Sequence, residues 1–249
     1  MTNIIITSEQ RVGSRWVHYL LRDLLDMRVS PEIDVKDIPN CQKRVNDGFK
    51  NKEIIKFHHA KLEDVLRLKG SYKIIGIVRN PRDRIVSYAF HQRYKPPGQG
   101  IEEIKKAKSD KEAVKICSQL QIVFKHNEDQ FNLMGRELST KRYVPGRDQT
   151  YIWSCYHWLK EDLVGEITKI VAFLGVDVPK DKIKQVCRQH EFEERSGRIP
   201  GIEERRNEWF RKGVEDDYKK WFDEEMLQQT AFFHHLYWKI IEAEENGRN

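Results

Sequence analysis

The chain has 249 residues, 34% of them charged, with a formal net charge of +6 and a pI near 9.0. That length suffices for one α/β domain with a real core, and the basic balance favours polyanions or phosphate-bearing ligands, although much of the excess is expected on solvated Lys/Glu faces such as Glu102 to Lys115. The four scattered cysteines, Cys41, Cys117, Cys155 and Cys187, form no CxxC pair and argue against a disulfide scaffold or a zinc site, and no run of about 20 apolar residues is available for a membrane helix. With no leader pattern at the amino terminus, the expected location is the cytoplasm.

Asn3 to Thr7 reads as a short buried strand, Ser8 to Ser14 as a polar loop, and Arg15 to Met27 as an amphipathic helix with Trp16, Tyr19, Leu20, Leu24 and Met27 at helical spacing. A loop between a strand and a helix start aims backbone N–H groups and the positive helix end at one point. Gly13 allows close backbone approach, and Arg11, Ser14 and Arg15 add donors. The pattern suits a phosphate but lacks the Gly-Lys-Ser/Thr ending of a Walker A loop. Residues 28–53 read as mixed, with turn signals at Ser30-Pro31 and Asp47-Gly48. Ile54 to Phe57 reads as a second strand, and the alternation places Lys56 and His58 on one face near its end, a cation beside an imidazole.

Tyr72 to Val78 reads as a third strand, followed by Arg79, a break at Asn80-Pro81, and a helix from Pro81 to Tyr94. Proline fits the first helical turn, where its missing N–H costs nothing. Ser87 lies one turn beyond Asp83 on the same helix face, so an anion there would meet the Arg79 guanidinium and a hydroxyl. In open α/β sheets ligands bind at the carboxyl ends of strands. Pro96-Pro97-Gly98 stops the helix, and residues 99–141 read as helical and highly charged. Tyr151 to Tyr156 is β-rich and reads as a fourth strand, Leu163 to Leu174 is a helix closed by Gly175, and Lys180 to His190 is another. Residues 195–213 read as a loop ending in the cationic turn Arg211-Lys212-Gly213, and Asp216 to Ile241 is mostly helical. Strands alternating with helices predict an α/β fold with a central parallel sheet flanked by helices. No repeat, low-complexity tract or linker interrupts it, so residues 1–249 read as a single domain.

Taken singly, each of these segments reads first as an ordinary loop, core residue or helix cap. In their order and spacing they resemble the sulfotransferases that use 3′-phosphoadenosine 5′-phosphosulfate (PAPS), over nearly the whole chain from Ile4 to Phe222. The family's Pro-Lys-Ser-Gly-Thr-Thr-Trp signature is matched by Gln10-Arg-Val-Gly-Ser-Arg-Trp16, and its Lys-Thr-His motif by Lys56-Phe57-His58. Its Arg-Asn-Pro-Lys-Asp-x-x-Val-Ser motif is nearly intact from Arg79 to Ser87, and its Arg-Lys-Gly-x-x-Gly-Asp-Trp-Lys-x-x-Phe signature is matched by Arg211 to Phe222. Tyr156 to Asp162 and Phe192 to Arg198 resemble two further segments of the family.

The resemblance implies a P-loop-like fold and a soluble enzyme. It also implies that Arg11, Gly13, Ser14 and Arg15 hold the 5′-phosphosulfate, and that Arg79 and Ser87, with Arg211, Lys212 and Gly213, hold the 3′-phosphate. Trp16 and Phe192 would sandwich the adenine, with Tyr156 at its edge. His58 would be the general base, with Lys56 and Arg11 offsetting the charge that develops during transfer. His59 is the rival base, on the opposite strand face. No metal is called for, and the expected partner is a small-molecule acceptor rather than nucleic acid or membrane. The chain departs from the family pattern at Arg11, Ser14, Arg15, Asp216 and Tyr218. A P-loop-like nucleotide kinase and a basic nucleic-acid-binding protein are the competing readings, the first disfavoured by the missing Walker residues.

Overall fold

The structure, a computed structural model, describes residues 3–8, 10–30, 33–34, 38–58, 65, 68–120, 150–191, 194 and 214–245. In chain order the described elements are β1 (Ile4–Ser8), α1 (Ser14–Leu25), β2 (Arg28–Val29), β3 (Ile33–Asp34), α2 (Ile38–Lys50), β4 (Glu53–His58), β5 (Lys73–Val78), α3 (Pro81–Arg93), α4 (Glu102–Lys105), α5 (Asp110–Gln119) and β6 (Tyr151–Cys155). They continue with α6 (Tyr156–Glu161), α7 (Leu163–Leu174), α8 (Lys180–Gln189), a 3-10 turn (Asp217–Lys220), α9 (Glu224–Gln229) and α10 (Ala231–Glu245). The chain groups into two compact units, Met1–Val78 with Ser139–Glu191 and Arg79–Leu138 with Phe192–Asn249.

The first unit holds the sheet, ordered β2-β4-β1-β5-β6 with β3 also on β4, and every pairing is parallel. The expected central parallel sheet flanked by helices is therefore present. The register aligns Ile6 with Lys56 and Ile75, and Ile75 with Ile152. Residues on this face join one buried core with Val17, Leu20, Leu21 and Leu24 of α1 and Ile167, Ile170 and Val171 of α7. On the other face α2 approaches β4 so closely that a Cβ added at Gly48 would lie 2.3 Å from the Ile55 side chain.

Residues 28–53 hold more order than the sequence reading allowed. Asp47-Gly48, read as a turn, lies inside α2, where Gly48 answers to packing rather than to chain reversal. The short strands β2 and β3 line one edge of β4. Ser30, directly after β2, ties this edge to β4. Its N–H donates to the Ile54 carbonyl (3.1 Å), and its hydroxyl accepts from the Lys56 N–H (3.3 Å).

The second unit is helical among its described residues. Its core joins Ile85, Val86, Ala89 and Phe90 of α3 to Val114 and Cys117 of α5, Tyr218, and Met226 of α9. The helical reading after Gly98 is met by two helices, α4 and α5, the second started where the Ser109 hydroxyl accepts from the Glu112 N–H (3.1 Å). Residues 121–141 of that segment lie outside the described residues. The segment from Asp216, expected to be mostly helical, is so, as the 3-10 turn, α9 and α10, with Asp223 capping α9 through the Met226 N–H (3.0 Å).

Candidate functional site

In the first unit the loop after β1 enters α1 through an unusual backbone. Arg11 has φ 67° and Gly13 φ 91°, both in the left-handed region. Helix α1 begins at Ser14, whose side chain is buried, and the Gly13 carbonyl accepts from Trp16 N–H (2.9 Å) and Val17 N–H (3.3 Å). Gly13, at the N-cap, has no side chain to cap this end, and no acidic residue lies in its first turn. A helix start of this kind, preceded by two left-handed residues, suits an anion.

Tyr156 stands beside this loop. The sequence reading placed it at the end of a strand; it is instead the first residue of α6, directly after β6. Its ring covers Gly13 so closely that a Cβ there would lie 2.8 Å from Tyr156 Cδ2. Trp16, half-buried, meets Tyr156 edge-on with centroids 6.0 Å apart. The Trp16 indole N–H donates to the His190 carbonyl (2.7 Å), and His190 Nε2 lies 2.7 Å from the Asp23 carboxylate on α1. The hydrogen bond from Arg22, reinforced by His190, outweighs burial and holds Asp23 below its ordinary pKa. The structure thus brings Arg11, Gly13, Ser14, Trp16 and Tyr156 together, with Arg15 in the first turn of α1. His190, which anchors Trp16, was not singled out from sequence, since a carbonyl contact made 174 positions away leaves no local signal.

Lys56 is buried in β4 at 1% exposure, an uncommon place for an ammonium group. His58 ends the same strand, in register with Ser8 at the carboxyl end of β1. His59 lies outside the described residues, as do Phe192, Arg211, Lys212 and Gly213.

In the second unit Arg79 directly follows β5, and its Nη2 donates to the Val214 carbonyl (3.2 Å). Asn80 caps α3 through the Arg82 N–H (3.0 Å), with Pro81 at the first helical position as expected. Ser87 is buried one turn past Asp83. Arg82 and Asp83, read from sequence as residues of a helix start, are buried and bonded at long range. Arg82 donates to Thr230 Oγ1 and to the Leu227 carbonyl, each at 2.9 Å, and Asp83 accepts from the Asp216 and Tyr218 N–H groups. Asp216 itself has φ 59°. The family pattern places a glycine there, and aspartate is among the few other residues that tolerate this backbone. Among the described residues, no group of three His, Cys, Asp or Glu side chains could hold a metal ion. No helix among them is long and apolar enough to cross a membrane.

The family model of the sulfotransferase domain matches residues 1–237. Sulfotransferase 6B1 of mouse is 24% identical over 242 residues, which cover 91% of this chain and 73% of that protein. Among solved structures, mouse sulfotransferase SULT7A1 complexed with PAP superposes with a TM-score of 0.66 at 21% identity, covering 99% of this chain and 87% of the other. Retinol dehydratase in complex with androsterone and inactive cofactor PAP gives 0.64 at 20% identity, covering 93% and 79%. These two likenesses establish the fold, and the match of the domain model from residue 1 to 237 establishes that the chain belongs to the sulfotransferase family.

Proposed function

We propose that this sulfotransferase takes PAPS as its donor and transfers the sulfuryl group to a hydroxyl or amine of a small-molecule acceptor. The observation that carries the donor assignment is the acid-free start of α1 behind the left-handed Arg11 and Gly13. Backbone donors and a helix dipole converging there suit a phosphosulfate. The PAP complexes of mouse SULT7A1 and retinol dehydratase support the same choice, and androsterone bound to the latter supports a small acceptor.

The family's motif positions then assign the roles. Arg11, Gly13, Ser14 and Arg15 hold the 5′-phosphosulfate; Trp16 and Phe192 bind the adenine faces, with Tyr156 at the edge. Arg79 and Ser87, with Arg211, Lys212 and Gly213, take the 3′-phosphate, for which Arg forks are the matching geometry. His58 accepts the acceptor's proton as the new bond to sulfur forms in line with the breaking S–O bond to the 5′-phosphate, which leaves as PAP. Lys56 and Arg11 offset charge on the bridging oxygen. A sulfuryl group carries less charge than a phosphoryl group, so side-chain cations suffice and the reading invokes no metal.

Calorimetry with PAP and mass-spectrometric detection of sulfonated acceptors with PAPS test the assignment. Saturable PAP binding is expected, and His58→Ala is expected to slow single-turnover transfer by about 10²–10⁴-fold. Absence of PAP binding overturns the donor, and loss of transfer in His59→Ala rather than His58→Ala overturns the base.

A further inference from the structure

Ser8 ends β1 at 0% exposure, and its Oγ has no hydrogen-bond partner among the described residues. The strand does not ask for a hydroxyl there. Alternation puts Ser8 on the face of Ile4 and Ile6, which join the core against α1, so it takes the next place in an apolar row. A buried hydroxyl left unpaired costs stability, and alanine would remove that cost. The cost is recovered where a partner meets the hydroxyl in another state of the enzyme.

The sheet register names that partner. Ser8 pairs with His58 across the parallel strands β1 and β4. Paired positions share a sheet face, and neighbouring strands lie about 4.8 Å apart. On its other side Ser8 pairs with Ile77 of β5, which offers it no polar side chain. Ser154 of β6 pairs with Ile77 in turn, and its Oγ is likewise buried without a partner among the described residues. Ser154 is thus the same chemistry at the same level of the sheet, separated from His58 by β1 and β5.

An imidazole that takes a proton at one nitrogen carries hydrogen on the other, and the hydrogen bond made by that N–H selects the tautomer. We propose that Ser8 is a positioning residue for His58: in the donor-bound enzyme its hydroxyl accepts one imidazole N–H and leaves the second nitrogen bare for the acceptor's proton. The acceptor's O–H bond breaks, its proton passes to that nitrogen, and its electron pair forms the new bond to sulfur, while Ser8 keeps its own proton. This inference rests on the assignment of His58 as the base.

The direct readout is imidazole nitrogen NMR of the isotope-labelled full chain with PAP, the His58 signals being assigned by their loss in His58→Gln. The wild type should show one fixed tautomer. Ser8→Ala should average the two ring nitrogens, and Ser154→Ala should leave the wild-type pattern. Because no described bond holds the hydroxyl, Ser8→Ala should melt no lower than the wild type and bind PAP unchanged. Single-turnover transfer from PAPS to phenol should fall by about tenfold, the worth of one neutral hydrogen bond. Ser8→Ala should add nothing to His58→Ala, as coupled residues require. An unchanged ring pattern in Ser8→Ala, or an equal change in both serine variants, overturns the positioning role. A lowered Tm together with weakened PAP overturns it too, since it marks a purely structural hydroxyl. Should phenol not accept the group, the ring pattern alone decides. Full transfer by His58→Ala is instead the failure of the base assignment, and it takes this inference with it.

Discussion

Gly13 carries two constraints at once, a left-handed backbone and the Tyr156 ring at van der Waals range. Alanine satisfies neither. A Cβ at φ 91° costs about 1–3 kcal/mol in strain, and the ring must move to admit it. For a chain of this size that corresponds to a loss of roughly 2–4 °C in Tm per kcal/mol. Gly13→Ala should therefore lower Tm and, because Tyr156 and the start of α1 move with it, weaken PAP by about tenfold or more. Calorimetry and a melting curve on one preparation check both; an unchanged PAP affinity would separate Gly13 from the donor site. The importance of Gly13 was legible in the sequence because it sits in a motif between a strand and a helix. The ring that covers it was not, since Tyr156 is 143 positions away and read as the end of a strand. Asp216 shows the converse. Where the family pattern has glycine, this chain holds an aspartate in the left-handed region at φ 59°, which only a dihedral angle could reveal.

Strands β1, β4, β5 and β6 were legible because each is an apolar run bounded by polar or turn residues, which is how a strand buried on both faces reads. The short β2 and β3 and the helix α2 were not. Two-residue strands have no periodicity, and Gly48 mimics a turn where it actually serves a close packing contact. A second packing glycine lies within the sheet. Gly76 of β5 pairs in register with Trp153 of β6, and a Cβ on it would lie 2.1 Å from the indole. The glycine leaves the space over which that ring lies. Gly76→Ala should cost about 1–3 kcal/mol through overpacking. Trp153→Leu in the same chain should restore part of that loss, as a double-mutant cycle between contacting residues requires. Strictly additive effects in denaturant melts would show that the two side chains are not in competition.

At the scale of the first unit, the described motif segments lie at or after strand ends rather than in a single loop. Within the first unit, β4 ends at His58, β5 ends at Val78, the segment after β1 leads to Gly13, and the segment after β6 begins at Tyr156. These four strands are adjacent and parallel, so their carboxyl ends lie at one edge of the sheet. The chain adds β4 on one side of β1 and β5 on the other, which makes the end of β1 the switch point where open sheets of this kind bind ligands. This order was not legible in the sequence, because pairing is decided by long-range packing and crossover handedness.

Stability should depend on pH through a group outside these motifs. His234 Nε2 accepts the Trp238 indole N–H (3.1 Å) and lies 3.3 Å from the Tyr218 hydroxyl, so the fold uses its neutral form. Burial first, and then the Arg82 charge, lower its pKa from 6.5 to about 4. The unfolded chain therefore takes up a proton below pH 6.5 that the folded chain refuses until about pH 4. The stability His234 contributes is complete above 6.5, falls as pH drops through that window, and has been lost below about 4. Asp83, raised by burial, runs the other way: its contribution grows as pH falls through its folded pKa toward the ordinary 3.8. Asp23, held low by Arg22 and His190, loses its contribution only as pH falls from the ordinary 3.8 through its folded value, below the His234 window. Tm should accordingly decline between pH 6.5 and about 4. His234→Gln keeps an acceptor for Trp238 without a titrating ring, so melting curves of this variant should show a flatter Tm–pH slope over that range. A slope equal to that of the wild type would assign the acid sensitivity to another group.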